Sequence, residues 1–245
     1  MPGLDAFTSL QRESAIRETR MGGGYAAPQS IMAPPHGEWR EGMRPSLKRA
    51  MDVLGAGAML LVLAPFFALL ALIVRADGGP AFFAHRRIGN GGGAFGCLKF
   101  RSMVTDSQAR LDALLASDPT ARAEWDATSK LRNDPRVTKI GRFLRATSLD
   151  ELPQLLNVLR GEMSLVGPRP VIQSELERFY GAAAAHYISV RPGITGLWQV
   201  SGRSDTSYAQ RVALDVAYVS QPSLWQDVKI LLRTPMAVLS RRGAC

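Results

Sequence analysis

With 245 residues, 46% of them hydrophobic, the chain can build one substantial domain plus appendages. Thirty Lys and Arg against 21 Asp and Glu leave a formal charge of +9, which calls for anionic partners: phospholipid headgroups, phosphorylated small molecules or nucleic acid. The two cysteines, Cys97 and Cys245, are far apart and lack metal-ligand spacing, which argues against a disulfide framework or a zinc site and fits a reducing compartment.

Residues 1–44 carry Gly22-Gly23-Gly24, Pro34-Pro35 and scattered charges without a sustained apolar period. They read as a flexible tail with a short helix around Leu4–Arg17, and they lack the basic-then-apolar pattern of a secretory signal. Residues 45–76 form the second region. Within it, Val53 to Val74 is a run of 22 residues without a charge, long enough at about 1.5 Å per residue to cross a bilayer core. Pro65 near its middle favours a break at Ala64-Pro65. Both flanks are basic, with Arg44, Lys48 and Arg49 before the run and Arg75, Arg86 and Arg87 after it, so both ends prefer the cytoplasmic face. A helix that dips into one leaflet and returns meets both constraints; a kinked single-pass anchor is the other reading the pattern leaves open.

Residues 77–234 read as a soluble domain and 235–245 as a basic end. Phe82-Phe83, a turn at Gly91–Gly93 and Phe95–Phe100 predict a β-hairpin. Ser107–Ser117, with Leu111, Leu114 and Leu115 on one side, predicts a helix, and Arg136–Leu144 leads into the next. The fold class is therefore α+β, mostly α. Leu152, Leu155, Leu156 and Leu159 make an apolar helical stripe, and Ser148 with Glu151 fits a capping box, although Pro153 suits a later start. Asp150 and Glu151 then lie at the positive end of a helix, where carboxylates and bound anions are favoured. One such acid can attack phosphorus while the other holds Mg²⁺; acids are also common in a first helical turn without any such role. Arg145 lies within reach, and Pro168-Arg169-Pro170 presents a guanidinium between two prolines. A second glycine-rich turn follows at Arg191–Gln199, then Ser201-Gly202-Arg203.

Together these segments resemble the bacterial sugar transferase family, the monotopic phosphoglycosyl transferases that start exopolysaccharide, O-antigen and glycoprotein glycan assembly. The resemblance runs from about Lys48 to Thr234. It is carried by Lys48-Arg49-Ala-Met-Asp52, the proline-broken apolar run, Lys99-Phe100-Arg101-Ser102-Met103, Thr147–Gln154, Pro168-Arg169-Pro170, Arg191–Gln199, and Asp215-Val-Ala-Tyr218 with Ser223-Leu224-Trp225. It looks most like the small galactosyl- or glucosyl-phosphate transferases of exopolysaccharide synthesis.

The resemblance implies that Asp150 is the nucleophile, taking a sugar phosphate from a UDP-sugar and releasing UMP before undecaprenyl phosphate accepts it, and that Glu151 binds Mg²⁺. Arg145 and Arg169 would grip phosphates, with Pro168 and Pro170 beside the nucleoside, while Lys99, Arg101 and Asp215 match family positions near the site. It also implies a re-entrant helix turning at Pro65, with Lys48, Arg49 and Asp52 as its anchor at the cytoplasmic face of the inner membrane. Membrane lipids are then partners, nucleic acid is not, and a homodimer is compatible. Many members carry Ser where Ala64 precedes the proline; alanine cannot satisfy a carbonyl freed by the break. Leu224–Leu239 reads as an interfacial amphipathic segment, with core packing as the competing reading of its leucines. Two other functions fit the same residues: an Mg²⁺-dependent membrane phosphatase or pyrophosphatase, and an inactive scaffold of polysaccharide synthesis.

Overall fold

The computed structural model describes residues 45–128, 130–202 and 206–239. The predicted tail over 1–44 and the basic pair Arg241-Arg242 lie outside the described residues.

Helix α1, Pro45–Arg75, is rich in Leu and Ala, both strong helix formers, and it stays helical through Ala64 and Pro65. The break expected there does not end the helix, because good helix formers on both sides maintain the ladder around the single donor that proline lacks. One stripe faces the rest of the protein along the helix: Asp52, Ala56, Leu70 and Val74 are buried, with Leu60 and Phe67 packed beside them. The opposite face exposes large apolar side chains, including Leu54 at 73%, Leu61 at 78% and Val62 at 75%. By length and composition this helix suffices to cross a membrane.

Strands β1 (Phe82–Ile88) and β2 (Ala94–Phe100) form the predicted antiparallel hairpin, with Phe83 opposite Lys99, His85 opposite Cys97 and Arg87 opposite Phe95. Side chains alternate across a strand, so Arg87, His85, Cys97 and Lys99 share one face. Leu98 and Phe100 bury the other, where Phe67, Phe82 and Phe100 pack ring to ring. Helices α2 (Ser107–Ser117), α3 (Pro119–Thr128) and α4 (Lys139–Thr147) follow; α2 matches its predicted span.

The chain next makes a 3₁₀ turn, Leu149–Glu151, and helix α5, Gln154–Arg160. The capping box expected at Ser148 and Glu151 does not form. Ser148 instead closes α4 in the left-handed region at φ 58°, and its backbone N–H returns to the carbonyls of Leu144 and Arg145. Pro153 precedes the first residue of α5, so the later helix start is the observed one.

Strands β3 (Ser164–Val166) and β4 (Gly193–Thr195) pair in parallel. They bring the two proline- and glycine-rich turns together: the Gly167 N–H donates to Thr195 O and the Gly193 N–H to Pro168 O. A Cβ on Gly193 would stand 2.1 Å from Gly167 N, so only glycine permits this crossing. Between these strands run α6 (Gln173–Glu175), a π turn at Leu176–Tyr180, a 3₁₀ turn at Gly181–Ala183 and α7 (Ala184–Ile188). Helices α8 (Leu197–Ser201), α9 (Tyr208–Ser220) and α10 (Leu224–Leu239) complete the fold. Helix α10 runs through Thr234 and Pro235, where the sequence pattern places the start of a basic end. It buries Ile230 and exposes Trp225, Leu232 and Met236. The main core joins Ala56 of α1 to Cys97, Leu155, Val158, Met163, Leu165, Val219 and Ile230.

Candidate active site

Lys99 and the two acids meet because Asn157 fastens their elements together. Fully buried on α5, its amide oxygen accepts from Leu98 N at 2.9 Å and its amide nitrogen donates to Gly96 O at 2.8 Å. That holds β2 beside the start of α5. On the opposite strand face, Lys99 Nζ then lies 2.8 Å from Glu151 Oε1 and 3.4 Å from Asp150 Oδ2. Arg169, on the turn after β3, places Nη2 3.5 Å from the same Glu151 oxygen. Arg87, Cys97, Lys99, Glu151 and Gln154 line a pocket closed by Arg169, Pro170 and Ile194.

The two acids differ electrostatically. Burial pushes the Asp150 carboxyl above the ordinary carboxylate range, with Lys99 opposing and the neighbouring Glu151 charge adding to the rise. For Glu151, burial works in the same direction but Lys99 and Arg169 outweigh it, and its carboxyl falls to about 2. Glu151 is thus a permanent anion, while Asp150 is a carboxylate poorly satisfied in its ionised form, as suits a group that gives up its charge by bonding.

The other predicted residues divide clearly. Arg145, on α4, donates its Nε–H to Ser102 Oγ at 2.9 Å, and its charge acts on Asp150. Pro168 is buried behind the pocket that Pro170 lines. Arg101 does not join them. Its guanidinium is buried and committed to Asp77, Pro80 O, Met103 O and Val74 O, which locks the loop after α1 onto β2. Sequence order suggested a site residue here, but Arg101 follows the end of β2 at Phe100, beyond its alternation, and its guanidinium turns to the loop after α1.

Asp215 also lies outside the pocket. It is buried on α9, accepts from the Tyr180 hydroxyl at 2.8 Å, and is pushed up to about 6 by burial against the pull of Tyr180 and Arg211. Lys48, Arg49 and Asp52 join α1 to the body: Lys48 Nζ sits 3.2 Å from Asp52 Oδ1 and 2.9 Å from Asp227 Oδ2, and Arg49 donates to Val158 O and Leu159 O. Asp52 accepts from Ser164 Oγ and Leu165 N, so this anchor is a contact within the protein.

Arg87 is the pocket residue that sequence reasoning treated only as a flanking charge. It pairs with Glu175 at 3.4 Å and sits 3.2 Å from His85 Nδ1. Its signal was the two-residue spacing that puts it on the same hairpin face as Cys97 and Lys99.

A buried carboxylate with three cations and a permanently charged neighbour, on a body carrying a long exposed apolar helix, defines a protein suited to phosphoryl chemistry beside a membrane. Residues 43–241 match the bacterial sugar transferase family, and the chain belongs to it. It is 55% identical over 198 residues to a UDP-galactose-lipid carrier transferase of Erwinia amylovora, covering 81% of this chain and 41% of that protein. It is 53% identical over 198 residues to the undecaprenyl-phosphate galactose phosphotransferase of Salmonella typhimurium, with 81% and 41% covered. It is also 53% identical over 198 residues to the exopolysaccharide production protein ExoY of Rhizobium meliloti, with 80% and 87% covered. The chain thus spans about two fifths of the first two relatives and most of the third.

Proposed function

We propose that the chain transfers a sugar 1-phosphate from a UDP-sugar to undecaprenyl phosphate, the opening step of exopolysaccharide or related glycan assembly. The observation that carries this reading is the buried Asp150 carboxylate set against Lys99 and Glu151, with Arg169 and Arg87 around the adjoining pocket that Lys99 and Glu151 line.

An Asp150 oxygen attacks the phosphorus bearing the sugar, the bond between that phosphorus and the bridging oxygen breaks, and UMP leaves carrying the bridging oxygen. A phosphate oxygen of the lipid then attacks the same phosphorus, the bond to Asp150 breaks, and the carboxylate is regenerated. Lys99, Arg169 and Arg87 offset the charge of the diphosphate, and Arg145 stands near Asp150 to hold a phosphate oxygen.

The acids also fit a magnesium ion. Among the described residues no group of three or more His, Cys, Asp or Glu side chains could hold one alone. Mg²⁺, however, binds through one or two carboxylates plus substrate phosphates, and Glu151 beside Asp150 supplies that donor set. When bound, the ion would neutralise charge developing on the diphosphate. Glu151 stays ionised to hold it, and Asp150 is left to attack.

We further propose that α1 lies in one leaflet of the inner membrane, its two ends on the cytoplasmic side. Asp52 and Ala56 towards the start of α1 and Leu70 and Val74 at its end are all buried against the rest of the protein, which a bilayer-crossing helix could not carry with it, while the opposite face offers apolar side chains to lipid. The site then stands at headgroup depth, where a soluble donor and a lipid phosphate can both reach it.

Incubation of the full chain with UDP-sugars and undecaprenyl phosphate should release UMP and form lipid-linked sugar. Donor alone should add the mass of a sugar phosphate to the Asp150 peptide, and Asp150→Asn should lose both. Inorganic phosphate as the sole product would instead establish hydrolysis.

A further inference from the structure

Arg87 and Arg169 line one pocket from two elements far apart in sequence, the end of β1 and the turn after β3. Two guanidinium groups in one pocket repel. Burial and then the Arg169 charge disfavour the ionised form of Arg87, with Glu175 opposing them. Something other than the two arginines must therefore set the gap between them.

The backbone beside each arginine supplies it. Ile88, directly after Arg87, donates its N–H to Val171 O at 2.9 Å, and Val171 stands two residues beyond Arg169. Tyr187 of α7 completes this junction. Its hydroxyl donates to Ile88 O at 2.7 Å and accepts from Val171 N at 3.1 Å, so one oxygen is bonded to both backbones. The side chain is buried, which pushes ionisation of the phenol up and keeps it a donor. A second bridge runs through Glu175 of α6. Its Oε2 accepts from Ile172 N at 3.2 Å and lies 3.4 Å from Arg87 Nη1, tying that guanidinium to the segment that follows Arg169. His85 Nδ1, 3.2 Å from Arg87 Nη2, restrains the same group from the hairpin side.

We propose that Tyr187 and Glu175 are positioning residues, which hold Arg87 and Arg169 at the fixed separation that receives two adjoining phosphates. This rests on the reading above, in which the donor is a diphosphate. Neither residue lines the pocket, and both act through the arginines. A guanidinium fork grips phosphate oxygens only when it is aligned with them. A gap set before the ligand arrives spares it the cost of bringing two cations together. A ligand with two phosphates gains more from that gap than a ligand with one.

The test is binding of inorganic pyrophosphate and of inorganic phosphate by titration calorimetry, with the full chain in nanodiscs. Tyr187→Phe removes one hydroxyl and keeps the ring. Glu175→Gln keeps an acceptor for Ile172 N and removes the charge beside Arg87; its side chain is 31% exposed, so this variant folds even where loss of the buried hydroxyl is not tolerated. Wild type should bind pyrophosphate more tightly than phosphate. Each variant should lose about threefold to tenfold in pyrophosphate affinity, as expected for one hydrogen bond, and less for phosphate, so the preference narrows. KM for the UDP-sugar should rise in parallel. Arg101→Met, which loosens a loop outside the pocket, is the control for stability, and its preference should match wild type. An unaltered preference in either folded variant, or an equal narrowing in Arg101→Met, overturns the assignment. The calorimetry uses neither donor sugar nor lipid. Failure of wild type to make lipid-linked sugar from any UDP-sugar would therefore defeat the functional reading and not the clasp itself.

Discussion

Replacing Lys99 with methionine keeps the length and strand compatibility of the side chain and removes only the charge between the two acids. At 3.4 Å from Asp150 Oδ2, a unit charge at an effective dielectric of about 20 contributes roughly 5 kcal/mol. The side chains are 22% and 11% exposed, and solvent screening brings a reasonable expectation down to about 2–3 kcal/mol. That corresponds to roughly a hundredfold in kcat/KM at neutral pH. The sign follows from the partners. Burial already raises the Asp150 carboxyl and Lys99 is the main force opposing it, so its loss leaves burial and Glu151 opposed chiefly by Arg145. Protonated Asp150 cannot attack, and the acid limb of the rate profile therefore moves to higher pH. UMP release measured from pH 5 to 9 should show Lys99→Met recovering part of its deficit in alkali, and Lys99→Arg should stay near the wild-type limb. A uniform fall with the acid limb unmoved would refute the reasoning and leave Lys99 as a substrate grip alone.

Arg101→Met should cost about 2–4 kcal/mol of stability by orphaning Asp77 and three backbone carbonyls, while the UMP-release rate per folded molecule holds; a thermal melt paired with active-site titration checks this. Asp215→Asn should stabilise the protein in a pH-dependent way. The carboxyl rises from 3.8 to about 6 on folding, so its ionisation carries no penalty below about pH 4, a growing one up to about 6, and roughly 3 kcal/mol above that. The difference in Tm between variant and wild type should widen from pH 4 to 7 and then level off; a flat difference would be inconsistent with the assigned origin. Single cysteines at Arg44 and Ala84 should both react with an impermeant thiol reagent from the cytoplasmic side only; reaction from opposite sides would establish a crossing helix instead.

Periodicity and residue type alone determined the hairpin at Phe82–Phe100, helix Ser107–Ser117, the apolar run of α1, the span Leu224–Leu239 and the pairing of Asp150 with Glu151. These are local properties: strand alternation, helical spacing and the chemistry of adjacent acids are written in consecutive residues. Contacts between distant elements were not. Arg101 and Asp215 stand in motifs that resemble catalytic ones, yet side-chain direction commits the first to the loop after α1 and the second to Tyr180. Arg87 entered the site because the strand register aligns its face with Lys99, and Asn157 proved to be the clasp because folding brings its amide to the Leu98 N–H and the Gly96 carbonyl of β2. Ser148 shows the same limit: its sequence fits a cap, but the chain must reverse between α4 and α5, and that requirement put it in a left-handed conformation. Local patterns state what a residue can do. Only the folded chain decides which neighbours it meets, since those neighbours come from elements far away in sequence.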